Sequence, residues 1–412
     1  MKKVFQKLLN SDPKKLYIIS LGCPKNRVDS EYLASKLMHS AVDVVSKPDQ
    51  ADLIMINSCG FVEDATAESI DEIFNAIEIK KRTGAKILVA GCMVSRYKDE
   101  ITAKIPEVDF WLDTKTMPVA ADRLVSTFPH GYIKIADGCD HRCSFCTIPS
   151  FKGNFRSVDE KTVIEQASLL LSNGIKELIT VAQDSSYYGK DCGGNFAALL
   201  KKIAAIEGKF WIRPLYLYPT EITDELIELI AASEKIVPYF DMPIQHSSSR
   251  LLKKMKRGYD KQDIIDIVSK IRAAIPDASF RSTLIVGYPG ETDNDIEELK
   301  GFIKEIKFDN IGVFTYSDEN NLETDKNRID KKTKEARKKE IMLCQQNISY
   351  EINKTFVGKT VVCLAESDKS ARDRRMAPQI DGKIYATGMR TGRFYTIKIE
   401  KADAYDLYGK LV

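Results

Sequence analysis

No stretch of this chain approaches the roughly twenty apolar residues that a membrane-spanning helix needs. The start, Met1-Lys2-Lys3-Val4-Phe5-Gln6-Lys7-Leu8-Leu9-Asn10, is basic but lacks the apolar core of a secretory signal. A cytoplasmic protein with no membrane partner is expected. An excess of one charge is missing as well. The 62 Lys and Arg against 59 Asp and Glu leave a formal +3 over 412 residues, too little to argue for a nucleic-acid partner. Nine cysteines, an odd number without an export signal, argue against a disulfide framework and for reduced thiols and metal ligation. The length predicts two or three domains, and 43% apolar residues are enough for large cores.

Six of the cysteines fall into two patterns. The first is Gly138-Cys139-Asp140-His141-Arg142-Cys143-Ser144-Phe145-Cys146, spaced Cys-x-x-x-Cys-x-x-Cys directly behind an apolar run at 132–135. A 4Fe–4S cluster is normally held by four Cys thiolates, so three leave one iron open to another ligand. Structural zinc sites close with four ligands. The nearest fourth donor, His141, would have to ligate from between two ligating cysteines in a short loop. Softness and ligand count favour iron and sulfide over zinc. The loop resembles that of the radical S-adenosylmethionine (SAM) enzymes. That resemblance implies an open iron that chelates SAM, whose reductive cleavage to a 5′-deoxyadenosyl radical abstracts hydrogen from an unactivated carbon.

Strand-like runs at 132–136, 177–182, 210–217, 237–242, 280–286 and 311–315 alternate with helical patterns near 159–173, 195–206, 222–233, 248–274 and 293–306. Six such repeats with right-handed crossovers predict an α/β fold, a partial (β/α)6 barrel from 131 to about 330. Chemistry in such a sheet belongs at the C-terminal strand ends. The three-Cys loop follows the first strand, Gln183-Asp184 the second, Asp241-Met242-Pro243-Ile244-Gln245-His246 the fourth, and Gly287-Tyr288-Pro289-Gly290-Glu291-Thr292 the fifth. The last motif reads equally as an ordinary βα turn with Thr292 as helix N-cap. His246 reads as a proton donor or as a satisfied polar residue, and the second reading is favoured. By resemblance, Phe145 contacts the adenine of SAM, the strand end at Gly287 passes it, and Gln183, Asp241 and Arg281 complete the cofactor-binding set.

The second pattern is dispersed. Cys23, Cys59 and Cys92 each sit just past a strand-like run, at 18–22, 53–58 and 87–91, and helical patterns follow at 28–39, 65–81 and 94–105. This predicts a Rossmann-like open sheet of doubly wound type, whose parallel strands deliver all three thiols to one edge. A single buried Cys is more often an inert apolar side chain; three at equivalent positions point to a second cluster.

Two tri-Cys sets in this order resemble the radical-SAM methylthiotransferases over nearly the whole chain. The family pattern implies two 4Fe–4S clusters and SAM. Cys139, Cys143 and Cys146 match the ligands of the SAM-binding cluster, and Cys23, Cys59 and Cys92 those of an auxiliary cluster that carries the sulfur. No catalytic side chain beyond the ligands is implied. Ser20-Leu21-Gly22-Cys23-Pro24-Lys25-Asn26-Arg27 resembles the branch that modifies the β-carbon of an aspartate in ribosomal protein S twelve, free or on the small subunit. A transfer-RNA adenosine is the alternative substrate, and a noncatalytic metal-containing RNA-binding protein a more distant one. Supporting matches are Gln183-Asp184, Tyr218-Pro219, Pro243-Ile244-Gln245-His246, the segment 252–257 and Arg281-Ser282-Thr283. Lys152 stands where the family usually has Arg, and 376–382 lacks the acids usual before Ala377 and after Pro378.

From about Tyr350, short β patterns at 360–365, 383–386 and 393–399 predict a small antiparallel barrel, matching the family's TRAM domain. Arg372, Arg374, Arg375, Arg390 and Arg393 mixed with Asp373, Asp381, Asp403 and Asp406 suggest a surface of mixed charge, suited to a protein partner more than to tRNA. The basic run 331–339 reads as a solvated helix face. Expected domains are 1–130, 131–345 and 346–412. Cys344 and Cys363 read as core, and Cys192 as a loop residue.

Overall fold

The structure, a computed structural model, describes residues 8, 13–38, 42–115, 117, 119, 122–318 and 328–412; His39 and, apart from Leu8, the basic N-terminal start fall outside them. Two compact units emerge. One comprises 1–126, 136–141 and 146–169, the other 127–135, 142–145 and 170–412. Among the described residues no helix is long and apolar enough to cross a membrane.

In the first unit β1 (Lys15–Ser20), β2 (Asp43–Val44), β3 (Leu53–Ser58), β4 (Lys86–Gly91) and β5 (Phe110–Leu112) form a parallel sheet in the order β2-β1-β3-β4-β5. All of β3 is buried, as its unbroken apolar run requires of a strand covered on both faces. Helices α1 (Pro24–Met38), α2 (Glu63–Thr83) and α3 (Cys92–Lys104) follow β1, β3 and β4. Glu63 and Asp64 open α2 and Lys80, Lys81 and Arg82 close it, complementing its dipole. The short strands β2 and β5 were outside the sequence expectation, because runs of two or three residues carry no readable alternation. Helix α4 (Ile148–Lys152) also belongs to this unit, as does a two-residue antiparallel pairing of 136–137 with 156–157.

The second unit contains the six expected parallel strands: β6 (His130–Lys134), β7 (Glu177–Val181), β8 (Trp211–Pro214), β9 (Tyr239–Asp241), β10 (Ser279–Val286) and β11 (Asn310–Thr315). They lie in chain order as two three-stranded ladders joined by a parallel bridge from Ile212 to Ile236. Between them in the chain run α5 (Glu160–Ser172), whose residues 160–169 belong to the first unit, α6 (Phe196–Ala204), α7 (Asp224–Ala232), α8 (Ser249–Lys254), α9 (Lys261–Ala274) and α10 (Asp293–Ile306). The single helix expected at 248–274 is therefore two. Helix α8 caps at Met255, Lys256 turns left-handed with φ 55°, and Asp260 restarts α9 through a capping box with Asp263. The apolar period runs on across the break, since Leu251, Leu252, Ile264, Val268 and Ile271 are all buried. Thr292 caps α10, its hydroxyl accepting from the N–H of Asp295.

Helix α11 (Lys331–Lys354) leads to a closed barrel of β12 (Thr360–Ala365), β13 (Ser370–Arg372), β14 (Ile384–Tyr385), β15 (Phe394–Ala402) and β16 (Leu407–Leu411). It departs from the expected antiparallel pattern at one place, the parallel pairing of β14 with β16. The mixed-charge expectation for this barrel needs a correction too. Arg372 is fully buried, bonded to Glu177 at 2.6 Å and to Glu366 at 2.7 Å. Arg213 donates to the same Glu177 at 2.7 Å and to the carbonyl of Arg374 at 2.9 Å. Arg374 reaches the carbonyl of Ile236, and Arg375 pairs with Asp373. Three of the five arginines are thus spent on internal contacts, while Arg390 and Arg393 are exposed.

Candidate functional site

Sheet register places the dispersed cysteines. Ser20 of β1 is level with Asn57 of β3, and Asn57 with Ala90 of β4, so Cys23, Cys59 and Cys92 follow within three residues of one line. Gly22 makes the approach possible: its φ is +78°, and a Cβ there would lie 2.8 Å from Cys59 Sγ. The sulfurs are near enough for Cys23 to act on Cys59, and for Cys23 and Cys59 to act on Cys92. Burial pushes the Cys59 thiol up, opposed by the N–H of Phe61, with Cys23 adding to the rise. Burial likewise lifts Cys92 to about 12, opposed by Lys152 and reinforced by Cys23 and Cys59.

Two asparagines that the sequence reading gave no role stitch this edge together. Asn26 Nδ2 donates to the carbonyls of Leu21 at 3.0 Å and Ser58 at 2.9 Å, while its Oδ1 accepts from Cys92 Sγ at 3.6 Å. Asn57 Nδ2 donates to Asn26 O at 2.6 Å and Ser30 Oγ at 2.8 Å. A lone Asn inside the apolar strand 53–58 was the available signal. Lys152, noted only as a departure, is buried with its Nζ 3.7 Å from Asp29 and 3.8 Å from Asp137.

The loop cysteines are held differently. Cys139 is buried, its N–H donating to Gly153 O at 3.1 Å, whereas Cys143 and Cys146 are half-buried. Ser144 is clamped to the end of α8: its N–H donates to Met255 O at 3.1 Å, its hydroxyl to Lys254 O at 3.0 Å, and that hydroxyl also meets Tyr288 Oη at 2.7 Å. Phe145 packs against an apolar cluster of Leu251, Met255, Tyr288 and Tyr316. Arg257, in the break between α8 and α9, donates to Cys143 Sγ at 3.3 Å.

Of the expected SAM contacts, Phe145 and Gly287 stand together at the C-terminal strand ends, Gly287 next to Tyr288. Gly287 has a packing reason of its own, since a Cβ there would meet Lys334 Cγ at 2.4 Å. Gln183 lies just beyond β7 and is half-buried. Asp241 ends β9, buried, with Oδ2 accepting from Tyr216 N–H at 3.1 Å. Arg281 is level with Asp241, near the start of β10, and its Nε lies 3.8 Å from Asp381 Oδ1. The structure therefore does not bring Arg281 to the strand ends beside Phe145. His246 is fully buried, its Nδ1 accepting from Ser248 N–H at 2.9 Å and its Nε2 3.4 Å from Glu291, which Arg337 pairs in turn. Cys192 is exposed, Cys344 half-buried and Cys363 buried.

The donor chemistry of both sets fits iron-sulfur clusters. Each offers three thiols and no carboxylate, soft donors suited to iron and sulfide, and iron binding displaces the thiol protons. Among the described residues no three His, Cys, Asp or Glu side chains are gathered to grip one bare ion.

Comparison with known proteins matches residues 15–113 to the family described as Uncharacterized protein family UPF0004, 133–303 to the Radical SAM superfamily, and 357–412 to the TRAM domain. Proteins named "Ribosomal protein uS12 methylthiotransferase RimO" are close relatives. The one from Sulfurihydrogenibium sp. (strain YO3AOP1) is 41% identical, covering 96% of this chain and 99% of its own length. That from Thermosipho africanus is 39% identical over 96% and 99%, and that from Thermotoga maritima 38% over 95% and 98%. Among solved structures, the radical SAM methyltransferase TsrM from Kitasatospora setae, with cobalamin and a [4Fe-4S] cluster, superposes with a TM-score of 0.56 at 14% identity, covering 73% of this chain and 74% of that one. The cobalamin-dependent radical enzyme OxsB reaches 0.51 at 13%, covering 72% and 52%. At these identities the two structures speak for the fold alone.

Proposed function

Because the chain belongs to the RimO family of ribosomal protein uS12 methylthiotransferases, we propose that it adds a methylthio group to the β-carbon of an aspartate in that small-subunit protein, in the cytoplasm. The full-length similarity to these relatives is the observation that carries the reading. Cys139, Cys143 and Cys146 hold the SAM-binding cluster, and Cys23, Cys59 and Cys92 the auxiliary one. When bound, these cofactors supply one-electron cleavage of SAM, hydrogen abstraction, and the sulfur and methyl group; the protein supplies binding and orientation.

What the chain's own residues do follows from their contacts. Asn26 and Asn57 tie the ends of β1 and β3 to the start of α3, which holds the auxiliary thiols at a fixed spacing. The Ser144 clamp and the apolar seat of Phe145 fix the middle of the radical loop and exclude water from one side of it. Phe145, Gln183, Asp241 and Gly287 are assigned to SAM; Arg281, near the start of β10 and 3.8 Å from Asp381, is left out of that set.

The test is mass spectrometry. Anaerobically reconstituted protein with SAM, reductant and sulfide should add a methylthio group to the aspartate of an S twelve loop peptide. Appearance of methylthioadenosine in tRNA with the peptide unmodified would overturn the assignment.

A further inference from the structure

Arg257 sets its guanidinium against a sulfur of the radical loop, and its surroundings are unusual for a buried cation. Its Nη1 donates to Cys143 Sγ at 3.3 Å, Nη2 to the carbonyl of Pro243 at 3.0 Å, and Nε to the Tyr259 hydroxyl at 2.7 Å. The guanidinium carbon lies 4.3 Å from the centroid of the Tyr218 ring and 5.0 Å from that of Tyr259, two rings that meet edge to face at 5.2 Å. Tyr218 is itself fixed, its hydroxyl accepting from Gly258 N–H at 3.0 Å. Among the described residues Arg257 forms no ion pair with a carboxylate, in contrast to Arg213, Arg337, Arg372 and Arg375. Its positive charge is therefore balanced only by neutral acceptors, ring faces and whatever charge resides on Cys143.

The backbone is arranged to put it there. The break between α8 and α9, with Lys256 left-handed, turns residue 257 back toward the barrel while α8 holds Ser144 by its last carbonyls. One element thus fixes both the loop and the cation that faces it. A cluster that accepts an electron gains negative charge, and a hydrogen bond and a positive charge at a ligating sulfur stabilise the reduced form more than the oxidised one. A guanidinium keeps its charge when buried, and three hydrogen bonds with two ring contacts hold this one in place.

We propose that Arg257 is a positioning residue for the SAM-binding cluster: by donating to Cys143 Sγ it raises the reduction potential of that cluster, so that a physiological reductant can supply the electron. This rests on the reading of Cys143 as a cluster ligand. The auxiliary cluster, whose sulfurs Arg257 does not touch, is left out of the effect.

The experiment is an EPR-monitored redox titration of the full-length holoenzyme, in which the cluster whose signal changes on adding SAM is followed separately from the one that does not respond. Arg257→Met and the neutral but hydrogen-bonding Arg257→Gln are compared with the parent at equal iron and sulfide content. In both, the ratio of reduced to oxidised SAM-responsive cluster at the parent midpoint should fall, by about tenfold for Met, which is about 59 mV for a one-electron couple, and by less for Gln. The SAM-insensitive signal should keep its midpoint. An unchanged midpoint in either loaded variant overturns the proposal, as does failure of both variants to retain the cluster, which would make Arg257 a support of the loop only. A different result marks failure of the underlying reading: Cys143→Ala that keeps a SAM-responsive four-iron cluster would remove Cys143 as a ligand whatever Arg257 does.

Discussion

The two cysteine sets solve the same ligation problem by opposite means. In the N-terminal unit the thiols come from three strand ends far apart in the chain, and parallel register brings them level. Their cation, Lys152, is shared with Asp29 and Asp137, so the site's formal charge is not positive. In the radical loop the thiols come from one short stretch, and the cation at Cys143 has tyrosines and carbonyls around it. A site built on register is stiff and its charge is compensated nearby; a site built on a loop must be clamped from outside, here by α8, and carries a cation of its own. The first arrangement suits a cluster that delivers sulfur, the second one that takes up an electron.

Removing whole triads breaks the comparison most severely. Replacing Cys139, Cys143 and Cys146 with Ala should abolish reductive SAM cleavage, read as 5′-deoxyadenosine. Replacing Cys23, Cys59 and Cys92 should leave that cleavage and stop sulfur insertion. About eight irons per chain are expected for the parent, following from two four-iron clusters, and about four in either triple variant. Normal methylthiolation by the second variant would show that the register-built site does not carry the sulfur.

How far the sequence announced these sites follows from the range of the interactions. That three cysteines share one loop was legible from spacing alone, and that three more reach one sheet edge from each Cys following an apolar run. The six barrel strands and the Thr292 cap were equally plain, since they rest on local patterns. Arg257 was not, because the break that positions it falls inside a continuous apolar period. Nor were Arg372 and Arg374, since mixed charge on a short barrel reads as surface until their distant partners Glu177 and Ile236 are known. Asn26 and Asn57 act through carbonyls of neighbouring strands, which no single-strand pattern reports.

A second prediction tests whether charge compensation matters at the register-built site. Lys152→Met leaves Asp29 and Asp137 buried without their ammonium, and breaking a buried pair from one side costs about 3–5 kcal/mol. Thermal unfolding of the iron-free chain should report that loss, and auxiliary iron should fall with it. Lys152→Arg, which restores the charge, should recover most of both. Equal stability of the Met variant and the parent would mean that the long contacts at 3.7 and 3.8 Å contribute nothing.

The smallest effect concerns an ion pair of the second unit that touches neither triad, and it supplies the scale for judging Lys152. Burial would raise the Glu177 carboxyl, but the guanidiniums of Arg372 and Arg213 outweigh it and hold the group down at about 2 from an ordinary 4.5. A carboxyl depressed in the folded state stabilises at any pH above its unfolded value and loses that stability as pH falls toward its folded value. The window is therefore about 4.5 down to 2, and the contribution lost across it is about 3 kcal/mol, from the shift at 1.36 kcal/mol per unit. Denaturant melts of the second unit's signal should be flat in this respect from pH 7 to 5 and fall steeply below 4.5. Glu177→Gln should lose stability already at pH 7 and show a shallower acid limb, because the group that titrates is gone. A parent and a Gln variant with parallel acid limbs would mean that this pair, despite its 2.6 and 2.7 Å contacts, is no more consequential than the looser one at Lys152.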